Sequence, residues 1–105
     1  MGMGNLARMA QQMQADMARV EQELQELRVE GSSGGGVVKA VVTGKQEIIS
    51  LAIDPSVVDP DDVDMLQDLV VAATNEALRA AQDLASQKLG GATGGLDLPN
   101  IPGLF

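Results

Sequence analysis

Six aspartates crowd one short stretch of the chain, Asp54, Asp59, Asp61, Asp62, Asp64 and Asp68, and form its densest set of groups able to do chemistry. Carboxylates at this density suggest Mg²⁺ or Ca²⁺, but a calcium loop needs alternating acids followed by glycine, and DPSVVDPDDVD has no such order. Helix capping accounts for the same residues. Asp59 stands before Pro60, so its side chain can accept from free backbone N–H groups while proline takes the first helical position. Asp61, Asp62 and Asp64 then complement the positive end of the helix dipole.

Other routes to catalysis are closed by residue type. Histidine and cysteine are absent, which removes the usual general base, the strongest nucleophile and the common zinc ligands. Ser32, Ser33, Ser50, Ser56 and Ser86 have no evident activating partner. GSSGGG is followed by β-branched residues rather than a helix, and Gly44-Lys45-Gln46 lacks the upstream glycine and the Ser/Thr of a phosphate loop. The residues therefore predict no enzyme, no cofactor and no metal.

The basic residues are Arg8, Arg19, Arg28, Lys39, Lys45, Arg79 and Lys88. Arg8 and Arg19 are eleven positions apart, about 16 Å of rise and about 20° of rotation on an ideal helix, so they share a face. Arg79 and Lys88, nine apart, turn to opposite faces, which long side chains partly offset. As ordinary solvated charges they keep helices soluble; as a set they are the candidates for phosphate contact.

The elements that carry these residues follow from periodicity. Met3, Leu6, Ala10, Met13, Met17, Val20, Leu24 and Leu27 step by threes and fours, a heptad seam on a first helix whose opening, with Gly2 and Gly4, frays. That seam can pack on the second helix, on a partner, or on both. Glycines and β-branched residues then announce strands. Val38, Ala40 and Val42 face one way on one strand, Ile49, Leu51 and Ile53 one way on the next, with Gly44-Lys45 as a two-residue turn. A shorter strand over 28–33 pairs across Gly34, Gly35 and Gly36, although Gly31, Ser32 and Ser33 suit a linker equally. A long helix over 60–89, stopped by Lys88 and Gly90, presents Val63, Leu66, Val70, Ala73, Ala77, Ala80 and Leu84 as the cover for Ile49, Leu51 and Ile53. Residues 1–89 thus make one domain, and 90–105 a mobile Gly/Pro-containing tail whose Leu96, Leu98, Ile101 and Leu104 have docking on a partner as their alternative role.

Three segments, GGGVVKAVVTGKQEIISLAIDPSVVDPDD, MLQDLVVAATNEALRAAQDL and TGGLDLP, resemble in order the YbaB/EbfC family of small bacterial nucleoid-associated proteins, and with the Met/Gln-rich first helix the likeness spans essentially the whole chain. The resemblance implies an α+β fold of helix, three-stranded antiparallel sheet and long C-terminal helix, assembled as a tweezer-like homodimer that binds double-stranded DNA in the nucleoid. It makes the two helices the arms, and Arg8, Arg19, Arg79 and Lys88 the candidate DNA-binding residues.

Composition both supports and opposes that expectation. At 105 residues a single core buries little, which favours self-association. Without cysteine the chain suits a reducing cytoplasm, and no apolar run is long enough to span a membrane. Phe105 is the sole aromatic residue, which disfavours stacking on single-stranded bases. Against duplex binding stands a net charge of −8, doubled in a dimer. That acidity favours the alternative, a protein-interaction adaptor using the heptad helix and the tail, with little or no DNA binding.

Overall fold

The computed structural model describes residues 3–92. Helix α1 (Met3–Glu26) leads into strands β1 (Val29–Ser33), β2 (Val38–Val42) and β3 (Ile48–Ile53), a 3₁₀ turn (Pro55–Val57) and helix α2 (Val63–Ala92). The strands form one antiparallel sheet in the order β1-β2-β3, so the α+β architecture and the strand over 28–33 hold. Gly34, Gly35 and Gly36 all adopt positive φ in the β1–β2 turn, a conformation that glycine takes without steric cost.

The core is made of small side chains. Val38, Ala40 and Val42 are fully buried on one sheet face, as alternation requires, and Ala73, Ala77 and Ala81 of α2 lie against them. Gly31 of β1 lets the helix backbone itself touch the strand. A Cβ at Gly31 would overlap the Ala77 amide nitrogen and lie 2.5 Å from the Ala73 carbonyl oxygen. One helical turn earlier the Ser33 hydroxyl donates to the Leu69 carbonyl at 2.6 Å. These three contacts set α2 antiparallel to β1.

Several expectations are corrected. Asp59-Pro60 does not start the helix: Asp59 closes a turn, accepting from Asp61 N at 2.9 Å, and Asp62 caps α2 by accepting from Met65 N at 3.2 Å. Asp54 likewise belongs to a turn. Its carboxylate accepts from Ser56 N, and that hydrogen bond holds its pKa below the usual carboxylate value. At the other end Lys88 and Gly90 do not stop the helix, which runs on to Ala92, because Gly90 does not take the left-handed conformation of a glycine stop. The rest of the expected tail, residues 93–105, lies outside the described residues, as does Gly2.

The cover for Ile49, Leu51 and Ile53 is also absent. Helix α2 lies on β1 and β2 and leaves β3 exposed, while Val63 at its start is exposed too. Ile49 drops out of the ladder, since Val41 pairs with Ser50 and Val42 with Ile48, leaving it at a bulge. The β2–β3 connection is a three-residue loop in which Thr43 N donates to Glu47 O at 2.8 Å and Gln46, not Gly44, has positive φ. Thr43 steadies it by accepting from Lys45 N and Glu47 N. Gly44 is small for another reason: its N–H donates to the Leu24 carbonyl at 2.8 Å, and a Cβ there would stand 2.8 Å from the same oxygen.

Substitutions separate these roles. Gly31→Ala and Gly44→Ala are each expected to cost about 1–3 kcal/mol through overpacking, whereas Gln46→Gly relieves an unfavourable φ and leaves stability equal or higher. Urea unfolding checks the signs; a stabilising Gly44→Ala would contradict the close approach to α1.

Candidate functional site

The four sequence-predicted contact residues lie on two helices whose arrangement is set by what is buried. On α1, among the described residues, only Val20 and Leu24 are buried; the seam expected from Met3 to Leu27 is packed at its C-terminal end alone. From Met3 to Arg19 the helix has no buried residue and projects as an arm. The molecule is 72 Å long, while the 30 residues of α2 account for about 45 Å, so the arm reaches beyond the end of α2. Its root is fastened by the Leu24–Gly44 hydrogen bond and by Arg28, whose Nη1 donates to the carbonyls of Gln25 and Leu27 at 3.0 Å each.

Arg19 and Lys88 are brought together, but on a carboxylate. Lys88 Nζ lies 3.3 Å from Glu23 Oε2, and Arg19 Nε lies 3.8 Å from Glu23 Oε1 while its Nη1 lies 3.5 Å from Asp16. Gln12 donates to Asp16 at 3.2 Å, extending the chain of contacts along the arm. Spacing shows the Arg19 pairs, which are i,i+3 and i,i+4 neighbours on one helix. No sequence signal joins Glu23 to Lys88, since they meet only because α2 passes the root of α1.

Arg8 and Arg79 make no ion pair among the described residues. Arg8 stands near the tip of the arm beside Asn5, Met9 and Gln12, and residues 3–15 contain no acid at all. Arg79 is exposed on the side of α2 away from the sheet, opposite the face that buries Ala77 and Ala81. The four cations therefore form two separate groups: Arg8, Arg19 and Lys88 along the arm and its root, and Arg79 apart. Asn5 and Gln12, which join Arg8 on its helix face, were not singled out by residue type; their positions three before and four after Arg8 are the available signal.

The aspartate cluster occupies the opposite end of α2, whereas Asp16, Glu21, Glu23 and Glu26 lie on α1 itself. Asp59, Asp61, Asp62 and Asp64 precede or open α2, and Asp64 is separated from Lys88 by about 36 Å of helix. At a physiological ionic strength the screening length is about 8 Å, so this cluster exerts little field at the arm. Net charge alone overstates the repulsion that a polyanion would meet there. Among the described residues no three His, Cys, Asp or Glu side chains are grouped to hold a metal ion, and no helix is long and apolar enough to cross a membrane.

Comparison with known proteins points the same way. The model of the YbaB/EbfC DNA-binding family matches residues 1–96. A nucleoid-associated protein of Acetivibrio thermocellus is 54% identical over 101 residues, covering 96% of this chain and 88% of that protein. Another, of Alkaliphilus metalliredigens, is 50% identical over 103 residues, covering 98% and 88%. In structure, the chain is similar to the uncharacterized protein HP0035 of Helicobacter pylori, with a TM-score of 0.79 at 22% identity, covering 90% of this chain and 99% of that one.

Glu23 is the testable joint of this arrangement. Because all its ion pairs are partly exposed, Glu23→Gln is expected to change stability by under about 1 kcal/mol. A loss above about 2 kcal/mol in urea unfolding would mean that Glu23 holds the helices together rather than only pairing charges.

Proposed function

The chain belongs to the YbaB/EbfC DNA-binding family, and from that membership we propose that it is a non-enzymatic, nucleoid-associated protein that binds double-stranded DNA as a homodimer with low sequence preference, organising the nucleoid or modulating expression. The single observation that carries this reading is the projecting α1 arm, free of acids from residue 3 to 15 and bearing Arg8, which makes no ion pair among the described residues. Arg8, with Arg19 and Lys88 once released from Glu23, contacts phosphates; Arg79 contributes from the far side of α2. Asn5, Arg8 and Gln12 form one short polar cluster on α1, and the other candidate cations, Arg19, Lys88 and Arg79, lie outside it, so readout is through the backbone.

Self-association is supported by what β3 leaves open. Ile48 and Ile53 are 54% and 37% exposed, Leu51 lies between, and the strand's outer edge is unpaired. An unpaired apolar edge of this kind is an aggregation hazard unless covered, and a second copy covers it while doubling the number of arms. One domain over residues 1–89 then forms the body, in the cytoplasm, on DNA. The exposed seam of α1 favours the second reading, an adaptor that recruits a protein partner.

Titration with duplex DNA separates the two. Arg8→Glu with Arg19→Glu is expected to abolish a gel shift, and Glu23→Gln to strengthen it; unchanged binding in both removes the arm from the mechanism. With few phosphates neutralised, log affinity should fall with log salt at about −0.9 per contact, giving a shallow line. A partner retained after nuclease treatment, with no DNA shift in dilute buffer, would favour the adaptor. Leu51→Asp with Ile53→Asp should yield monomers in sedimentation; persistence of a dimer would place the interface elsewhere.

A further inference from the structure

The part of the α1 seam that no described residue covers asks for an occupant. Met3 is 84% exposed and Met13 57%, falling to 37% at Met17 where the arm nears its root, and beside Ala10, Met13 and Met17 runs a groove of about 520 Å³. Scattered apolar residues on a surface need no explanation, but a continuous stripe of methionines along one helix face does.

We infer that this stripe is the docking site of the chain's own C-terminal segment, residues 93–105. The first support is where that segment begins. Lys88 sits 3.3 Å from Glu23 at the root of the arm, and α2 ends at Ala92, about 6 Å of helix further on, so the segment starts beside the lower end of the stripe. Reach is the second. From Met17 to Met3 the arm rises about 21 Å, and the segment's thirteen residues can span about 43 Å, enough to follow the stripe to its tip.

Residue chemistry is the third. Leu96, Leu98, Ile101, Leu104 and Phe105 give the segment apolar groups to lay against thioethers, which adapt to irregular shapes and make favourable contacts with aromatic rings. Pro99 and Pro102 lack N–H groups, so attachment is by side chains, which suits a helix surface that offers no free backbone ladder. The segment leaves α2 beside its own α1, which favours that arm over the arm of a second copy.

Methionine oxidation in the full-length chain tests the inference without DNA, so its outcome is separate from that of the DNA-binding reading. Dilute hydrogen peroxide is applied to the parent and to a variant carrying Leu96→Ser, Leu98→Ser, Ile101→Ser and Leu104→Ser, and sulfoxide at Met13 and Met17 is followed by mass spectrometry. Met65, at the far end of α2, is the internal reference. Removal of the apolar groups should raise the rate at Met13 and Met17 by about threefold or more relative to Met65; equal rates in the two proteins overturn the inference, whether the stripe is bare or covered by another copy. A second measurement does not depend on a variant that loses its apolar groups. Since the chain has no native cysteine, Asn100→Cys carries a nitroxide, which should broaden the methyl signals of Met9 and Met13 and spare Met65. Absence of broadening, or broadening of isotope-labelled chains only when they are mixed with separately spin-labelled ones, would sink docking on the same chain.

Discussion

The contact on which the rest depends is the meeting of two backbones, where α2 crosses Gly31 with no side chain between them. Helices usually stand off a sheet by the width of the side chains between. Here Gly31, Ala73 and Ala77 bring the layers close, and Ser33 ties the approach with a hydrogen bond to a carbonyl of the helix. Such proximity restricts where the helix can lie. It must follow β1 and its neighbour β2, the strands that present Gly31, Val38, Ala40 and Val42, and it cannot shift toward β3 without losing the one position that has no Cβ. The exposure of Leu51 and Ile53 is a consequence of this placement rather than an independent feature.

A core of valine and alanine also buries little apolar area per residue. Hydrophobic stabilisation scales with the area removed from water, at about 25 cal/mol per Å², and a chain of this size already buries a modest fraction of its surface. The largest fully buried side chains are Val38 and Val42. The bulkier apolar residues of β3, Ile48, Ile49, Leu51 and Ile53, and the methionines of α1 lie outside the core. This inverts the usual distribution and gives a physical reason for association: the groups with most to gain from burial are those left on the surface.

The extent to which this was legible in the sequence follows from whether the signal was local. Alternation on β2 placed Val38, Ala40 and Val42 correctly, since a period of two needs no knowledge of neighbours. Reading Asp59-Pro60 as a helix start found the right chemistry one turn too early, because Asp59 and Asp62 are both good caps and only the turn between them decides which one caps the helix. Gly44 was recognised as special for the wrong cause: its smallness serves a contact with Leu24, twenty residues away, and nothing within the hairpin reveals it. At the site, the shared face of Arg8 and Arg19 was visible from helical geometry, but the capture of Arg19 and Lys88 by Glu23 required the crossing of α1 and α2.

That crossing also governs how an acidic protein can present a cationic arm. The direction of α2, set where Gly31 admits it, carries the aspartates of its first turn away from α1 and delivers Lys88 to the root of the arm. With α2 reversed on the same sheet, Asp62 and Asp64 would fall beside Glu23, and like charges would face one another within a screening length. With the observed direction, Glu23 at the root is met by Lys88 and Arg19, and the tip retains a positive charge without acids in residues 3–15. Charge separation along the molecule thus originates in the same glycine that fixes the packing, and the orientation of the arm relative to the sheet rests on the second small residue, Gly44, where Leu24 is held.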